Sequence, residues 1–219
     1  WWSGQAAACG SAVQRSQGID DSVETMSGDI LAKAHHETDK AMVEALCEQS
    51  SKTIGWLNAV HGLEFSVLDA FLYPGHRVHR MHGTPARTGT DLIGRLTQAV
   101  EAAGIPIVTE AHVTDLFAEP SGEITGLSYE RPDGSAETLG CGALILACNG
   151  FGGNPDMVRE LIPDMADANY FGHVGNQGDA IRWGRDLGAD MADLGSFQGH
   201  GSVAQPHGIL ISWALMMEG

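Results

Sequence analysis

The sequence predicts an α/β fold into which an antiparallel β-meander is inserted. Three observations predict it. Leu92, Ile93, Leu96 and Val100 fall on one face of a helix over residues 88–103. Strand-like segments follow, separated by the turn signals Ser121-Gly122 and Asp133-Gly134. Residues 143–147 are then a short continuous apolar run, the mark of a strand buried on both faces, and the run ends in the glycine-rich turn 149–153. A helix, a parallel strand, an antiparallel hairpin, a second parallel strand and a glycine turn, in that order, compose an α/β unit.

The elements are justified in chain order. Residues 1–18, rich in Gly, Ala, Ser and Gln, read as a loop with a short helix. Residues 19–60 read as helical, opened by capping side chains at Asp20, Asp21 and Ser22, with Ala34, Met42, Leu46, Ile54 and Leu57 at near-helical spacing. Periodicity is lost over 61–86, where His, Arg, Pro and Gly accumulate, and a loop of that length is usually functional. Gly104 and Pro106 stop the helix of 88–103. Strands are expected at 107–110, 113–118, 124–129 and 136–139, and again at 143–147. Helices are expected at 155–161 and 179–187, while the apolar 209–216 suits either a strand or a helix.

Composition excludes several classes of function. The 219 residues carry 12 Lys and Arg against 28 Asp and Glu, a net charge of −16, so the chain would repel nucleic-acid phosphates. No apolar run reaches the roughly 18 residues of a membrane span. Cys9, Cys47, Cys141 and Cys148 form no C-x-x-C pair, so zinc-ribbon and dithiol chemistry lack their ligands, and a reducing, cytoplasmic setting fits. Cys148, inside an apolar stretch, reads as a small buried hydrophobe. The chain opens on Trp1-Trp2 and stops at Glu218-Gly219, and it reads as an internal piece of something longer.

Four constellations carry possible chemistry. Glycines after the 143–148 segment let backbone approach a phosphate or a ring. Gly175-Asn176-Gln177-Gly178-Asp179 opens a helix whose first amides favour polar ligand atoms, while Asp179 equally suits its own helix dipole. His200, between Gly199 and Gly201, is sterically open to a carboxylate or carbonyl, or to nearby backbone. His76, His79 and His82 have a spacing that could seat a metal, but Arg77, Arg80 and Arg87 are interleaved and would repel it. No metal site is therefore expected. The basic run reads instead as a collector of substrate carboxylate, or as surface charge balancing nearby acids.

Taken in order, Arg87-Thr88-Gly89, the segment 144–154, the loop 175–179, Leu187-Gly188-Ala189 and Phe197-Gln198-Gly199-His200 resemble the flavoprotein family of succinate dehydrogenase, soluble fumarate reductase and 3-ketosteroid Δ1-dehydrogenase. The resemblance implies an incomplete FAD-binding, Rossmann-like domain over residues 1–207 and the start of a capping domain at 208–219. FAD is the implied cofactor. Residues matching cofactor-binding positions are Ser3, Gly4, Val113, Ala147, Cys148, Gly150, Asn176, Gly178 and Asp179. In the opening stretch, where small residues line the isoalloxazine, Gln5 replaces one of two usual glycines. His200 matches the catalytic His that binds a substrate carboxylate or carbonyl. Trp213 and Met216 stand where the fumarate enzymes carry a proton-relaying Glu and Arg, so a bulkier, less charged substrate than fumarate is implied. The implied reaction is oxidoreduction of a CH–CH or C=C bond beside a carboxylate or carbonyl, on a small-molecule carboxylate or ketone, with a possible electron-transfer partner. Amine or aspartate oxidation on the same fold, or a fragment unable to hold FAD alone, are the alternatives.

Overall fold

The structure is a computed structural model that describes residues 4–197 and the backbone of 203–204 and 209–210. It divides into two units, Trp1–Val108 and Thr109–Gly219. The expected boundary at 207/208, together with Ser3, His200, Trp213 and Met216, lies outside the described residues.

In the first unit, β1 (Gln5–Ala7), β2 (Ser66–Val67) and β3 (Met81–Gly83) form an antiparallel sheet in the order β1-β3-β2. Gln5 and Ser66 both stand opposite Gly83, and Ala6 and Val67 stand opposite His82. Helix α1 (Ala12–Ser16) starts with a reciprocal capping box between Ser11 and Gln14. Helix α2 (Val23–Lys33) is capped by Ser22. Helix α3 (Lys40–His61) is capped by Asp39 and ends at Gly62 in the left-handed region. Cys9, Met26, Val43 and Cys47 form the buried cluster, with Ala7, Val23, Ile30 and Leu31 packed against it. Helix α4 (Gly89–Ala102) has Thr88 as its N-cap.

One sequence expectation changes here, and the orientation of α3 becomes defined. The 61–86 stretch is not all loop, because it holds β2 and β3, each too short to show an alternating pattern. The inward face of α3 carries Val43, Cys47 and Ile54, whereas Met42 and Leu46 are exposed. A helix with apolar residues on two faces gives no unique inward side from spacing alone.

The basic run is also corrected. Arg80 is 1% exposed and lies between two acids, with Nε 3.1 Å from Asp21 and an NH group 2.8 Å from Asp29. Arg77 Nε reaches Asp29 at 2.5 Å. These two guanidiniums are committed to carboxylates of the fold and are not free to collect substrate. His82 is fully buried, with Nδ1 2.9 Å from the Arg80 carbonyl and Nε2 2.7 Å from Ser11 Oγ. A carbonyl only accepts, so Nδ1 carries the proton and Nε2 accepts from the Ser11 hydroxyl. Among the described residues, no group of three or more His, Cys, Asp or Glu is arranged to hold a metal ion.

In the second unit, β4 (His112–Ala118), β5 (Ile124–Glu130) and β6 (Ala136–Gly140) form the expected meander, paired antiparallel in chain order. Helix α5 (Pro155–Leu161) is capped by Asn154 and has proline in its first turn. Helix α6 (Asp179–Asp186) starts after Gly178. The backbones of β7 (Val203–Ala204) and β8 (Ile209–Leu210) pair as a hairpin.

Two expected strands are absent. Residues 107–110 and 143–147 are unpaired, and every paired strand among the described residues is antiparallel. Ile107 and Val108 are exposed, and Ile145 is 89% exposed. Cys148 is exposed rather than buried. An apolar run becomes a strand only when a neighbour supplies its ladder, and no such neighbour is present among the described residues. No described helix is long and apolar enough to cross a membrane.

Candidate functional site

The second unit brings most of the sequence-selected residues together. The turn after residue 148 and the loop before α6 are tied by backbone bonds. The Gly178 amide donates to the Gly150 carbonyl at 3.2 Å, and the Gly153 amide donates to the Asn176 carbonyl at 2.9 Å. Side chains double the seam: Asn154 Nδ2 donates to the Gln177 carbonyl at 3.1 Å, and Gln177 Nε2 donates to the Gly153 carbonyl at 2.9 Å. The Asn176 side chain donates to the Tyr170 hydroxyl at 2.6 Å, so its amide nitrogen is used within the loop.

This seam requires glycine at Gly178, whose φ is +82°. A Cβ there would lie 2.5 Å from Met157 Sδ and 2.9 Å from Phe151 Cβ.

Beside the seam is a cavity of about 330 Å³. Val113, Ala147, Cys148 and Asp179, four of the selected residues, line it. Leu116 and Leu127 from the meander, Leu144, Ile145 and Leu146 from the unpaired segment, and Trp183 complete its apolar wall. The sequence analysis did not single out Trp183. The available signal was its spacing, because residues four apart on α6 share a face and Asp179 lines the same cavity. The Trp183 indole is buried and donates to the Thr114 carbonyl at 3.4 Å, which fixes the ring against β4. Asp179 also pairs with Arg182 at 2.9 Å.

The chemistry of this cavity is specific. Its size is on the scale of small-molecule sites. Apolar walls and one aromatic ring suit a flat heterocycle. Asp179 supplies an acceptor for hydroxyl groups and would repel phosphate. The backbone of 144–148 has no ladder partner among the described residues, so its amides and carbonyls remain open to a ligand's polar edge.

In the first unit, Gly4 has φ +61°, and a side chain there would run into the Thr88 carbonyl ahead of α4. Its neighbour Gln5 accepts a 2.7 Å hydrogen bond from the Tyr73 hydroxyl.

Comparison with known proteins gives the family. The chain matches the FAD binding domain model over residues 1–219. It is 27% identical over 209 residues to "Probable fumarate reductase Ifc3" of Shewanella frigidimarina, covering 94% of the chain and 35% of that protein. It is 26% identical to "Urocanate reductase" of Eggerthella lenta, covering 90% of the chain and 33% of that protein. The chain thus spans about a third of the length of these relatives. Among solved structures, the open conformation of a flavocytochrome c3 fumarate reductase superposes with a TM-score of 0.87 at 26% identity, over 95% of this chain and 37% of that one. A 3-ketosteroid-Δ4-(5α)-dehydrogenase from Rhodococcus jostii RHA1 shares the fold, with a TM-score of 0.73 at 21% identity over 86% of this chain and 46% of that one. A whole-length family match and a superposition covering nearly all of the chain converge on one conclusion: the chain belongs to the family of FAD binding domains.

Proposed function

We propose that this chain is the FAD-holding part of an oxidoreductase that interconverts a saturated C–C bond and a C=C bond activated by a neighbouring carboxylate or carbonyl. The observation that carries the reading is the cavity beside the Gly150–Gly178 seam, where residues from four separate stretches of sequence converge. Its composition fits the adenosine half of FAD. Val113, Ala147 and Trp183 would sandwich the adenine, open backbone at 144–148 would meet its polar edge, and Asp179 would accept a ribose hydroxyl. Gly150 and Gly178 hold together the two turns that carry Cys148 and Asp179. Among the described residues the cavity lining holds no lysine or arginine, His112 being its one basic side chain, which agrees with this division, since the pyrophosphate would need donors from elsewhere.

FAD, when bound, supplies hydride transfer to or from a carbon of the substrate. The protein's share is position and polarity. Ser3 and Gly4 would line the isoalloxazine, where the Gly4 backbone is held against Thr88. His200 would bind and orient the substrate's carboxylate or carbonyl, the role of a catalytic residue. The substrate is a small carboxylate or ketone, and electrons would be exchanged with a separate partner. Residues 208–219 would begin a capping domain. The relatives named fumarate reductase and urocanate reductase support a carboxylate conjugated to the reacting double bond.

The test is FAD titration, followed by visible absorbance and flavin fluorescence, on the wild type and Asp179→Ala. Loss of one charge-assisted hydrogen bond should weaken FAD binding about 10- to 100-fold. FAD uptake indifferent to both Asp179→Ala and Trp183→Ala would overturn the placement. A flavin-loaded protein that reduces no conjugated acid or ketone would overturn the reaction class.

A further inference from the structure

Between α5 and α6 the chain passes through Tyr170, and two glycines make room for its side chain. A Cβ on Gly152, in the glycine-rich turn, would run into Cε2 of the ring, and one on Gly172 would run into the hydroxyl. Neither glycine has a positive φ. Space for the ring, and not an unusual backbone, is what glycine supplies at both positions. Tyr170 therefore rests against the turn that the seam joins to the loop before α6.

The hydroxyl has one proton to give, and it is directed at the His173 carbonyl at 3.4 Å. Toward Asn176 it accepts, taking Nδ2–H at 2.6 Å. The main chain of Asn176 is also spent: its amide donates to the His173 carbonyl at 3.0 Å, and its carbonyl accepts from the Gly153 amide at 2.9 Å. One polar atom of this half-buried residue is left, the side-chain Oδ1, which has no partner among the described residues. It can only accept. The nearby Asp179 carboxylate is an acceptor too. Two acceptors on one loop select a ligand's hydroxyl or N–H groups and disfavour its phosphates.

We propose that Tyr170 is a positioning residue: its hydroxyl fixes the Asn176 amide so that Oδ1 accepts a hydrogen bond from a hydroxyl or N–H group of FAD. This rests on the reading in which FAD lies beside the Gly150–Gly178 seam. Tyr170 acts through Asn176, so its contribution to binding exists only while the asparagine is present. Without the hydroxyl, the amide can rotate and present its NH2 in place of the oxygen.

The experiment titrates FAD into the full-length protein, read by flavin fluorescence, for the wild type, Tyr170→Phe, Asn176→Ala and the double variant. Urea denaturation of each without FAD reads stability. Both single variants should lose about 3- to 10-fold in FAD affinity. The double variant should lose no more than Asn176→Ala alone, which is the signature of one residue acting through the other. Tyr170→Phe keeps the ring in its seat, and its urea midpoint should match the wild type. Gly152→Ala should displace the ring and weaken FAD as Tyr170→Phe does, again with no further effect once Asn176 is alanine. ADP, which lacks the ribityl chain and the flavin, assigns the donor: an equal loss with ADP puts it on the adenosine half, and a loss with FAD alone puts it on the flavin half, each in agreement with the proposal. Unchanged FAD affinity in Tyr170→Phe, or losses that multiply in the double variant, would overturn it. With FAD still bound by the wild type, those results leave the flavoenzyme reading intact. Failure of the wild type to take up FAD would count against that reading itself.

Discussion

The amide of Gly178 donates to the carbonyl of Gly150 at 3.2 Å, and this bond joins two glycine-containing turns from separate parts of the chain. The seam precedes Asp179, the first residue of α6, which lines the cavity. Anything that widens it should loosen the cavity and the second unit together.

Gly178→Ala meets two obstacles, a positive φ and a Cβ in contact with Met157 and Phe151. It should cost about 2 kcal/mol or more in stability. Urea denaturation checks this, with FAD affinity measured on the same variant. A variant as stable as the wild type would mean that the turn relaxes freely.

Arg80→Ala would leave Asp21 and Asp29 buried without their shared cation. The expected cost is about 3–5 kcal/mol, enough to unfold the first unit in a marginal protein. Far-ultraviolet dichroism during denaturation reads it. A folded Arg80→Ala variant of unchanged stability and weakened substrate binding would restore the substrate-collecting role to this residue.

Acid should destabilise the first unit in two stages. His82 is held below its ordinary value chiefly by burial, and His76 by burial and by the neighbouring Arg80. Both are neutral in the fold, so the stability they contribute is present above pH 6.5 and lost as pH falls from there. Burial would raise the Asp29 carboxyl, but hydrogen bonds from Arg77 and Arg80 outweigh it and hold the carboxyl low. Its contribution is present above its ordinary 3.8 and lost as pH falls through the lower folded value. Denaturation midpoints across pH should therefore fall twice. His82→Gln should flatten the upper step, and Asp29→Asn the lower. An upper step untouched by His82→Gln and His76→Gln would refute the assignment.

Thiol labelling should distinguish the four cysteines. Cys148 is exposed and lines the cavity, whereas Cys9 and Cys47 are buried. Burial raises both buried thiols, and for Cys47 the nearby Cys9 adds to it. Cys148 should react first, Cys141 more slowly, and Cys9 and Cys47 only on unfolding. FAD should slow the first reaction. Mass spectrometry of peptides checks the order, and equal rates at Cys148 with and without FAD would place the cofactor elsewhere.

Legibility followed physical locality. Helices α4, α5 and α6 and the meander were readable because their signals are local: caps at Thr88 and Asn154, turns at Gly122 and Gly134, and periodicity between them. The β1-β3-β2 sheet was not, because strands of two or three residues carry no period and gain stability only from distant pairing. The inward face of α3 was not legible from spacing, since Met42 and Leu46 compete for it with Val43 and Cys47. Within the site, Val113, Ala147, Cys148 and Asp179 do meet, and that convergence came from the ordered family resemblance rather than from any one motif. The role of Arg80 was unreadable because its partners, Asp21 and Asp29, lie far upstream in sequence.

The open segment from Leu144 to Cys148 has a colloidal consequence. An apolar stretch with free amides and carbonyls is a template for the same stretch of another molecule. Light scattering of this chain alone should therefore rise steeply with concentration, and a single charge introduced at Ile145, which is 89% exposed, should suppress it without disturbing the packing around it.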